Sequence, residues 1–339
     1  MAFDTISFRP VGANDTGASS VSWAFLLRSG LGCMLFFQAV GVWLNLREII
    51  GPGATVPSSI AEMIDLRWEP SVRWFIPLLA RAGLEGQKAY IFCFALYTIL
   101  LLLLILNFRP KLTSLSVFAL HSVILGSSGF SIYGADLLAN VGLFYCVLAP
   151  AGVPEDSSDA MWRSSLLHRL FQFQLVVVYV TSGLAKAIGP QWRNGEAIWF
   201  ALGEPVLRGI VDARPLLAAF PVLARLAGLS VLTLEIAYPF FMLPKVTRRV
   251  WLAFIIAMHL GIGLFLNLWS FALMMIVLNV SAFGSEYAAR LFGRLSKLYS
   301  AVLIAAKQAR AEPVLQVGQR SQECASFETR AAPPGRVQA

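Results

Sequence analysis

Residues 89–107 read Ala89-Tyr90-Ile91-Phe92-Cys93-Phe94-Ala95-Leu96-Tyr97-Thr98-Ile99-Leu100-Leu101-Leu102-Leu103-Leu104-Ile105-Leu106-Asn107. The run holds no Asp, Glu, Lys, Arg or His, and a spanning helix needs about 20 apolar residues, within a range of about 17–25. Working outward, comparable runs lie at 23–46, 112–131, 134–151, 166–188, 221–244, 249–266 and 268–284. The pattern predicts an all-α fold, a polytopic helical membrane bundle of about eight spans. The last two runs are nearly continuous, so one broken segment is the alternative, with its break near Asn267 to Ser270. Backbone freed at such a break must be buried in protein or line a cavity.

Composition agrees with that reading. Of 339 residues, 57% are hydrophobic and 14% charged, against about 25% charged in ordinary soluble domains. Mean hydropathy is +0.68. A disordered chain, a collagen-like chain and a disulfide scaffold are excluded, and a soluble enzyme would need a more polar surface. The four cysteines, Cys33, Cys93, Cys146 and Cys324, have no metal-ligand spacing, so neither a metal site nor a required disulfide is expected.

The net charge of +8 reads as membrane topology rather than nucleic-acid binding, since Lys and Arg collect on the cytoplasmic side. Arg109 and Lys111, then Lys245, Arg248 and Arg249, then Arg290, Arg294, Lys297, Lys307 and Arg310 all fall on one side of an eight-span chain. This predicts a multi-pass cell-membrane protein with both termini in the cytoplasm. Segment 47–88, with Arg47, Arg67, Arg73, Arg81 and Lys88, falls on the outer side as an exception.

Four regions follow: a polar N-terminal segment at 1–22 without signal-peptide features, a transmembrane domain at 23–284, a basic amphipathic segment at 285–310, and a tail at 311–339 expected to be disordered. Segments 47–88 and 189–220 mix Trp with Arg and are expected to form amphipathic caps on the outer face.

Ionisable groups at membrane depth are costly and mark functional sites. The candidates are Asp136, His121, His168, Lys186, Glu235 and His259. Helical spacing puts Gln172, Tyr179 and Lys186 on one stripe, with Gly183 close by to admit another helix or a ligand. Lys186 lies two residues from its span end, so it either snorkels to the interface or works as a general base in a cavity. Asp136 is either the partner of Lys186 or a helix N-terminal residue favoured by the macrodipole. Glu235 and His259 fall near mid-span and are expected to pair with each other or to handle protons. His121 reads as a helix–helix contact, and His168 with Arg169 as head-group residues at the inner end.

Nucleotide-binding loops, catalytic-triad signatures, zinc-protease motifs and haem-attachment motifs are absent from the sequence. The stretch Leu170-Phe171-Gln172-Phe173-Gln174 through Tyr179, Ser182-Gly183-Leu184, Lys186 and Trp192 to Gly195 resembles the core signature of the horizontally transferred transmembrane domain family, which includes the vitamin K-dependent gamma-glutamyl carboxylases. Tyr133-Gly134-Ala135-Asp136 resembles that family's Gly-Gly-Asp start of a span. Glu235 with Pro239, and Arg248 and Arg249 followed by His259 and Ser270-Phe271, resemble its later segments. Together these cover roughly 22–284.

The resemblance implies a membrane domain handling a reduced quinone, vitamin K or menaquinol, at its outer face, with Lys186 as the base. It departs from the carboxylases in two respects. Ser131 stands where they carry a histidine, and about 55 residues follow the last span where they carry a large soluble domain. Compact bacterial members of this size resemble those that accompany sporulation-delaying-type antimicrobial peptides.

The expected function is therefore a quinol-linked modification or maturation factor for an exported peptide. Lys186 would be catalytic; Gln172, Tyr179, Gly183, Asp136 and Trp192 would line the cavity, and Glu235 and His259 would form an intramembrane pair. The alternative is a non-catalytic chaperone or immunity-like partner of a secreted antimicrobial peptide, with Lys186 in a structural ion pair. A solute transporter ranks last, since paired broken helices are not evident.

Overall fold

The computed structural model describes residues 22–49, 70–127, 133–150, 158–291 and 294. Among these, every regular element is helical. Eight helices carry the fold: α1 (Trp23–Leu44), α2 (Gln87–Ile105), α3 (Pro110–Ser127), α4 (Gly134–Leu148), α5 (Ser158–Ile188), α6 (Pro221–Ile236), α7 (Lys245–Leu266) and α8 (Trp269–Phe283). By length and apolarity α1, α2, α7 and the Trp162–Ile188 part of α5 can cross a membrane, or five segments if α8 is counted with the following Ser285–Leu291. The chain is thus a helical membrane protein. Helices α4 and α8 have 15 residues each, about 22 Å at 1.5 Å per residue, which is less than the hydrocarbon core of about 30 Å.

Helix boundaries follow from the local sequence. The Ser22 side chain accepts from Phe25 N at 3.2 Å and starts α1. At α4 the Asp136 carboxylate accepts the Tyr133 N–H at 3.1 Å, half of a capping-box arrangement that satisfies an orphan donor. Asn267 takes a left-handed φ of 55° and ends α7. Here an expectation is corrected. Helices α7 and α8 are not one broken span, because they pack extensively against each other, which collinear halves could not do. The interruption itself falls at Asn267 and Leu268, within the expected stretch, and a further break follows α8 at Gly284.

Neighbouring helices alternate in direction. The start of α1 meets the end of α2 through Ser29 Oγ donating to Ile105 O (3.2 Å), and its last turn meets mid-α2 through Trp43 Nε1 donating to Thr98 Oγ1 (3.0 Å). The first half of α5 meets the end of α8, where His168 and Gln172 both reach Ala282 O. Helix α1 is the hub, with Leu27, Leu31 and Leu35 fully enclosed. Outward-facing Phe37, Ile99, Leu102, Phe173, Leu184 and Phe254 remain exposed, leaving the bundle flanked by the apolar surface that hydrocarbon requires.

Arg28 is not among the sequence candidates, yet among the described residues it is the largest fully buried side chain. Its guanidinium donates to Cys146 O (3.0 Å), Ala149 O (2.8 Å) and Pro150 O (2.9 Å). These are carbonyls at the C-terminal end of α4 that have no intrahelical donor, and the end of a helix dipole favours a cation.

Between α5 and α6, residues 189–220 form short helices at Pro190–Asn194, Glu196–Gly203 and Arg214–Ala219, which pack on α6. Ile210 N donates to Leu264 O at 3.0 Å, fastening this layer to the end of α7. Of the expected 47–88 cap, the described residues are 47–49 and 70–88, with short helices at Leu46–Ile49, Val72–Phe75 and Ile76–Ala80; residues 50–69 lie outside them. The expected N-terminal segment 1–22 (apart from Ser22), the tail 311–339 and residues 292, 293 and 295–310 of the basic segment lie outside the described residues.

Replacing Arg28 by Met should lower stability by about 2–3 kcal/mol, the scale of lost charged hydrogen bonds to buried carbonyls. Thermal unfolding in detergent micelles would read it; an unchanged midpoint would mean that water caps α4 instead.

Candidate functional site

The C-terminal half of α5 presents Tyr179, Ser182, Gly183 and Lys186 on adjoining turns. Lys186 Nζ donates to both Glu235 oxygens, Oε1 and Oε2, at 2.7 Å each and also to Ser182 Oγ. It lies 5.3 Å from the centre of the Trp192 ring, within cation–π range. The Lys186 side chain is 23% exposed and that of Glu235 9%. Both charges are therefore matched, and the pair sits at the edge of the packed interior.

Sequence spacing placed Glu235 at mid-span, but the packing of α6 moves it. Gly183 faces Glu235 and Ile236, the Trp192 backbone passes against Gly228, and Gly195 faces Ala224 and Arg225. Helix α6 therefore runs antiparallel beside residues 183–195, and its last turn lies level with the end of α5. Its earlier turns belong with the cap layer. The span expected at 221–244 is divided at Ala237, between α6 and the short helix Tyr238–Met242.

Two glycines make this approach possible. A Cβ on Gly183 would stand 2.8 Å from Ile236 Cγ1, 2.9 Å from Glu235 Cβ and 3.1 Å from Ile236 N. Gly195 has φ of 93° and ends the Pro190–Asn194 helix in a left-handed conformation, with backbone of α6 directly against it. Side chains rarely tolerate that conformation.

Below the ion pair lies a buried polar chain. Tyr238 Oη donates to Asn279 Oδ1 (2.6 Å), and Asn279 Nδ2 donates to Tyr179 Oη (2.8 Å) and to Met275 O (2.8 Å). Tyr179 Oη lies 2.8 Å from His259 Nε2. The Tyr179 and Tyr238 rings stack with centroids 4.1 Å apart. Asn279 is a lone amide inside an apolar helix, with no charge to mark it in the sequence, and Tyr238 stands in an aromatic context that hides it.

The expected pairings are thus exchanged. Glu235 takes Lys186, not His259, because the α5–α6 approach sets it beside the lysine; His259 takes Tyr179. Asp136 does not pair with Lys186: its partners are the Tyr133 N–H and Gln38 Nε2 (3.0 Å), as a helix N-terminal carboxylate packed against α1. Gln172 does not share a cavity with Lys186. Fourteen residues of helix separate them by about 21 Å, and its amide is held by Ala282 O at 2.7 Å. His121 bonds Tyr97 Oη through Nδ1 at 2.9 Å, and His168 stacks on Trp23 with centroids 5.1 Å apart. Residue Ser131 lies outside the described residues.

An ammonium and a carboxylate in contact, part-shielded from water, can exchange a proton with each other and with a hydroxyl brought beside them. The arrangement is therefore able to do proton chemistry at the end of α5.

Two measurements test the geometry. Gly183→Ala should lower stability by about 1–3 kcal/mol, as overpacking does, by pushing α6 from α5. Glu235→Leu should cost about 1–3 kcal/mol, below the full penalty of a stranded buried charge because Lys186 is partly exposed, and adding Lys186→Met should recover part of it. A double variant less stable than Glu235→Leu alone would mean that the charges are not coupled.

Comparison with protein-family models, with curated proteins and with solved structures gives no match for this chain.

Proposed function

We propose that this protein is an eight-span, quinol-linked modification or maturation factor for an exported peptide. Both termini would lie in the cytoplasm, with Lys186 near the outer leaflet of the cell membrane. In this topology α6 together with Tyr238–Met242 serves as the sixth span. Arg109, Lys111, Lys245, Arg248 and Arg249 gather at the helix ends opposite Lys186, in keeping with the bias of basic residues toward the cytoplasm.

The observation that carries the reading is the Lys186–Glu235 contact beside Trp192, an acid and a base at one point on the rim of a membrane bundle. A reduced quinone fits these residues in kind: Trp192 offers a flat apolar surface, and Lys186 and Glu235 offer partners for a hydroxyl. When bound, the quinol would supply reducing equivalents and an acidic hydroxyl proton. Lys186 would take up that proton in its neutral form, after its own proton passes to Glu235. Ser182 would orient the amine, and Gly183 would keep Glu235 in reach. Tyr179 lies behind this point and is almost wholly buried, so its part is to support the α5 face.

A second reading has its own observation. Ser182 and the two oxygens of Glu235 already occupy the hydrogens of the Lys186 ammonium. A closed pair of this kind suits a non-catalytic membrane chaperone or immunity-like partner of a secreted antimicrobial peptide, with the pair holding α5 to α6.

The deciding experiment is conversion of reduced vitamin K or menaquinol to its epoxide in the presence of oxygen by purified protein. We expect formation by the unmodified chain and at least a hundredfold loss in Lys186→Met of equal abundance. No epoxide from intact protein would remove the quinol reading and favour the chaperone. Topology is tested separately with Val206→Cys and Lys111→Cys, each with Cys33 and Cys324 changed to Ser. A membrane-impermeant maleimide should label Val206→Cys in intact cells and Lys111→Cys only after permeabilisation. The reverse pattern would invert the chain.

A further inference from the structure

Charge marks one end of the bundle plainly. Lys245, Arg248 and Arg249 open α7, and the Arg248 guanidinium lies 5.7 Å from the centre of the Phe283 ring at the end of α8. Ionised side chains keep to the polar boundary of a bilayer. From Arg248, α7 rises about 24 Å to Leu264, short of the hydrocarbon thickness of about 30 Å. Helix α8 falls short by about 8 Å over its whole length, and any tilt enlarges the deficit. The layer at 189–220 is fastened at this height. Ile210 N donates to Leu264 O, and a Cβ on Gly209 would stand 2.3 Å from Phe265 O. The layer therefore begins inside the hydrocarbon slab, not above it.

Helix α6 gives the same answer. Glu235 lies against Gly183, Gly228 against Trp192 O, and Ala224 and Arg225 against Gly195. Ala224 is thus about 16 Å beyond the ion pair along α6. Arg193, Glu196 and Arg225, all exposed, flank that farthest contact. Between them and the pair, residues 187–192 and 226–234 carry no ionisable side chain, and Ile188, Leu226 and Leu229 are exposed. Ile198 Cγ1 lies 3.8 Å from where a Cβ on Gly228 would stand, which sets the Glu196–Gly203 helix at the same height, with Trp199 and Phe200 exposed. The exposed hydroxyls of this zone turn back on their own helices. Thr181 donates to Val177 O (2.7 Å), Ser230 to Leu226 O and Thr233 to Leu229 O (2.8 Å each), which satisfies each donor without solvent.

We infer that the 189–220 layer and the first three turns of α6 are set among the acyl chains of the adjoining leaflet, with Arg193, Glu196 and Arg225 at its head groups. Two arguments make lipid the partner. The exposed apolar surface continues that of Leu184 and Ile188 on α5, and α7 and α8 leave the hydrocarbon unfilled at this end. A patch of this extent is uncommon on a surface that meets water. The Lys186–Glu235 pair then lies about 16 Å below the charged girdle, and a molecule that meets Lys186 enters through the leaflet. The inference rests neither on the quinol reading nor on which side of the membrane is cytoplasmic.

The test uses the full chain in vesicles of phosphatidylcholine and phosphatidylglycerol, with Cys33 and Cys324 changed to Ser; Cys93 and Cys146 are buried. A nitroxide label is placed at Phe200→Cys, at Leu229→Cys, and at Phe173→Cys as the hydrocarbon reference on α5. Its collisions are measured with oxygen, which concentrates in hydrocarbon, and with a nickel chelate confined to water. We expect oxygen collisions to exceed chelate collisions by about fivefold or more at Phe200 and Leu229, as at Phe173, since an immersed apolar face is closed to water. Chelate-favoured collision at either position would put the layer in water and overturn the inference. So would a label closed to both probes, which would mean that protein, and not lipid, covers this face.

Discussion

The ammonium of Lys186 reaches the carboxylate of Glu235 only where α5 and α6 come within a glycine's width of each other. Much of the architecture on that side of the molecule serves this approach. The chain leaves α5, turns through the short helix at Pro190–Asn194 and passes Gly195 in a conformation closed to most residues. It then returns along the same line as α6. A charged group in an apolar bundle is tolerable when its counter-charge and hydrogen-bond partners travel with it, and here the backbone path delivers them. Ser182, one turn before Lys186, and Trp192, just past the end of α5, complete the coordination from the same stretch of chain.

The same rule governs the rest of the interior. Polar groups far from water are matched across helices as well as along them: Arg28 to the carbonyls ending α4, Gln38 to Asp136, Trp43 to Thr98, Ser122 to Asn140, and Tyr238 through Asn279 to Tyr179 and His259. In hydrocarbon the hydrophobic effect does not drive helices together, so packing and such bonds must hold the bundle. Each bond also sets the register of a helix pair. Arg28 and Gln38 are ten residues apart on α1 and reach opposite ends of α4, which fixes both the antiparallel sense and the vertical position of that pair. An atom left out of this matching, such as His259 Nδ1, therefore stands out.

Two kinds of site residue emerge. Lys186, Glu235, Ser182 and Trp192 meet at the rim, where a molecule diffusing in the membrane could arrive. Tyr179, Tyr238, Asn279 and His259 lie deeper and are almost fully enclosed. The rim group has matched charges and the capacity to trade a proton. The deeper group is joined side chain to side chain, Tyr238 to Asn279, Asn279 to Tyr179 and Tyr179 to His259 Nε2.

The sequence by itself determined that this is a helical membrane protein, because a run such as 89–107 has no other stable environment, and because helix spacing alone groups Tyr179, Gly183 and Lys186 on one side of α5. It also singled out Lys186, Glu235 and His259, since charge in an apolar run is conspicuous. It did not determine which of these meet. The expected pairs, Asp136 with Lys186 and Glu235 with His259, were inferred from depth along ideal straight spans. Depth depends on where each helix begins relative to its neighbours, and α6 begins within the cap layer, so Glu235 lies near its C-terminal end, level with Lys186. Arg28 and Asn279 were legible as letters but not as roles: an arginine one turn into a helix reads as a snorkelling group until the end of α4 is found beside it. Only the tertiary structure decided these points, because a hydrogen bond between side chains tens of residues apart depends on helix register, and register is set by packing that no local pattern encodes.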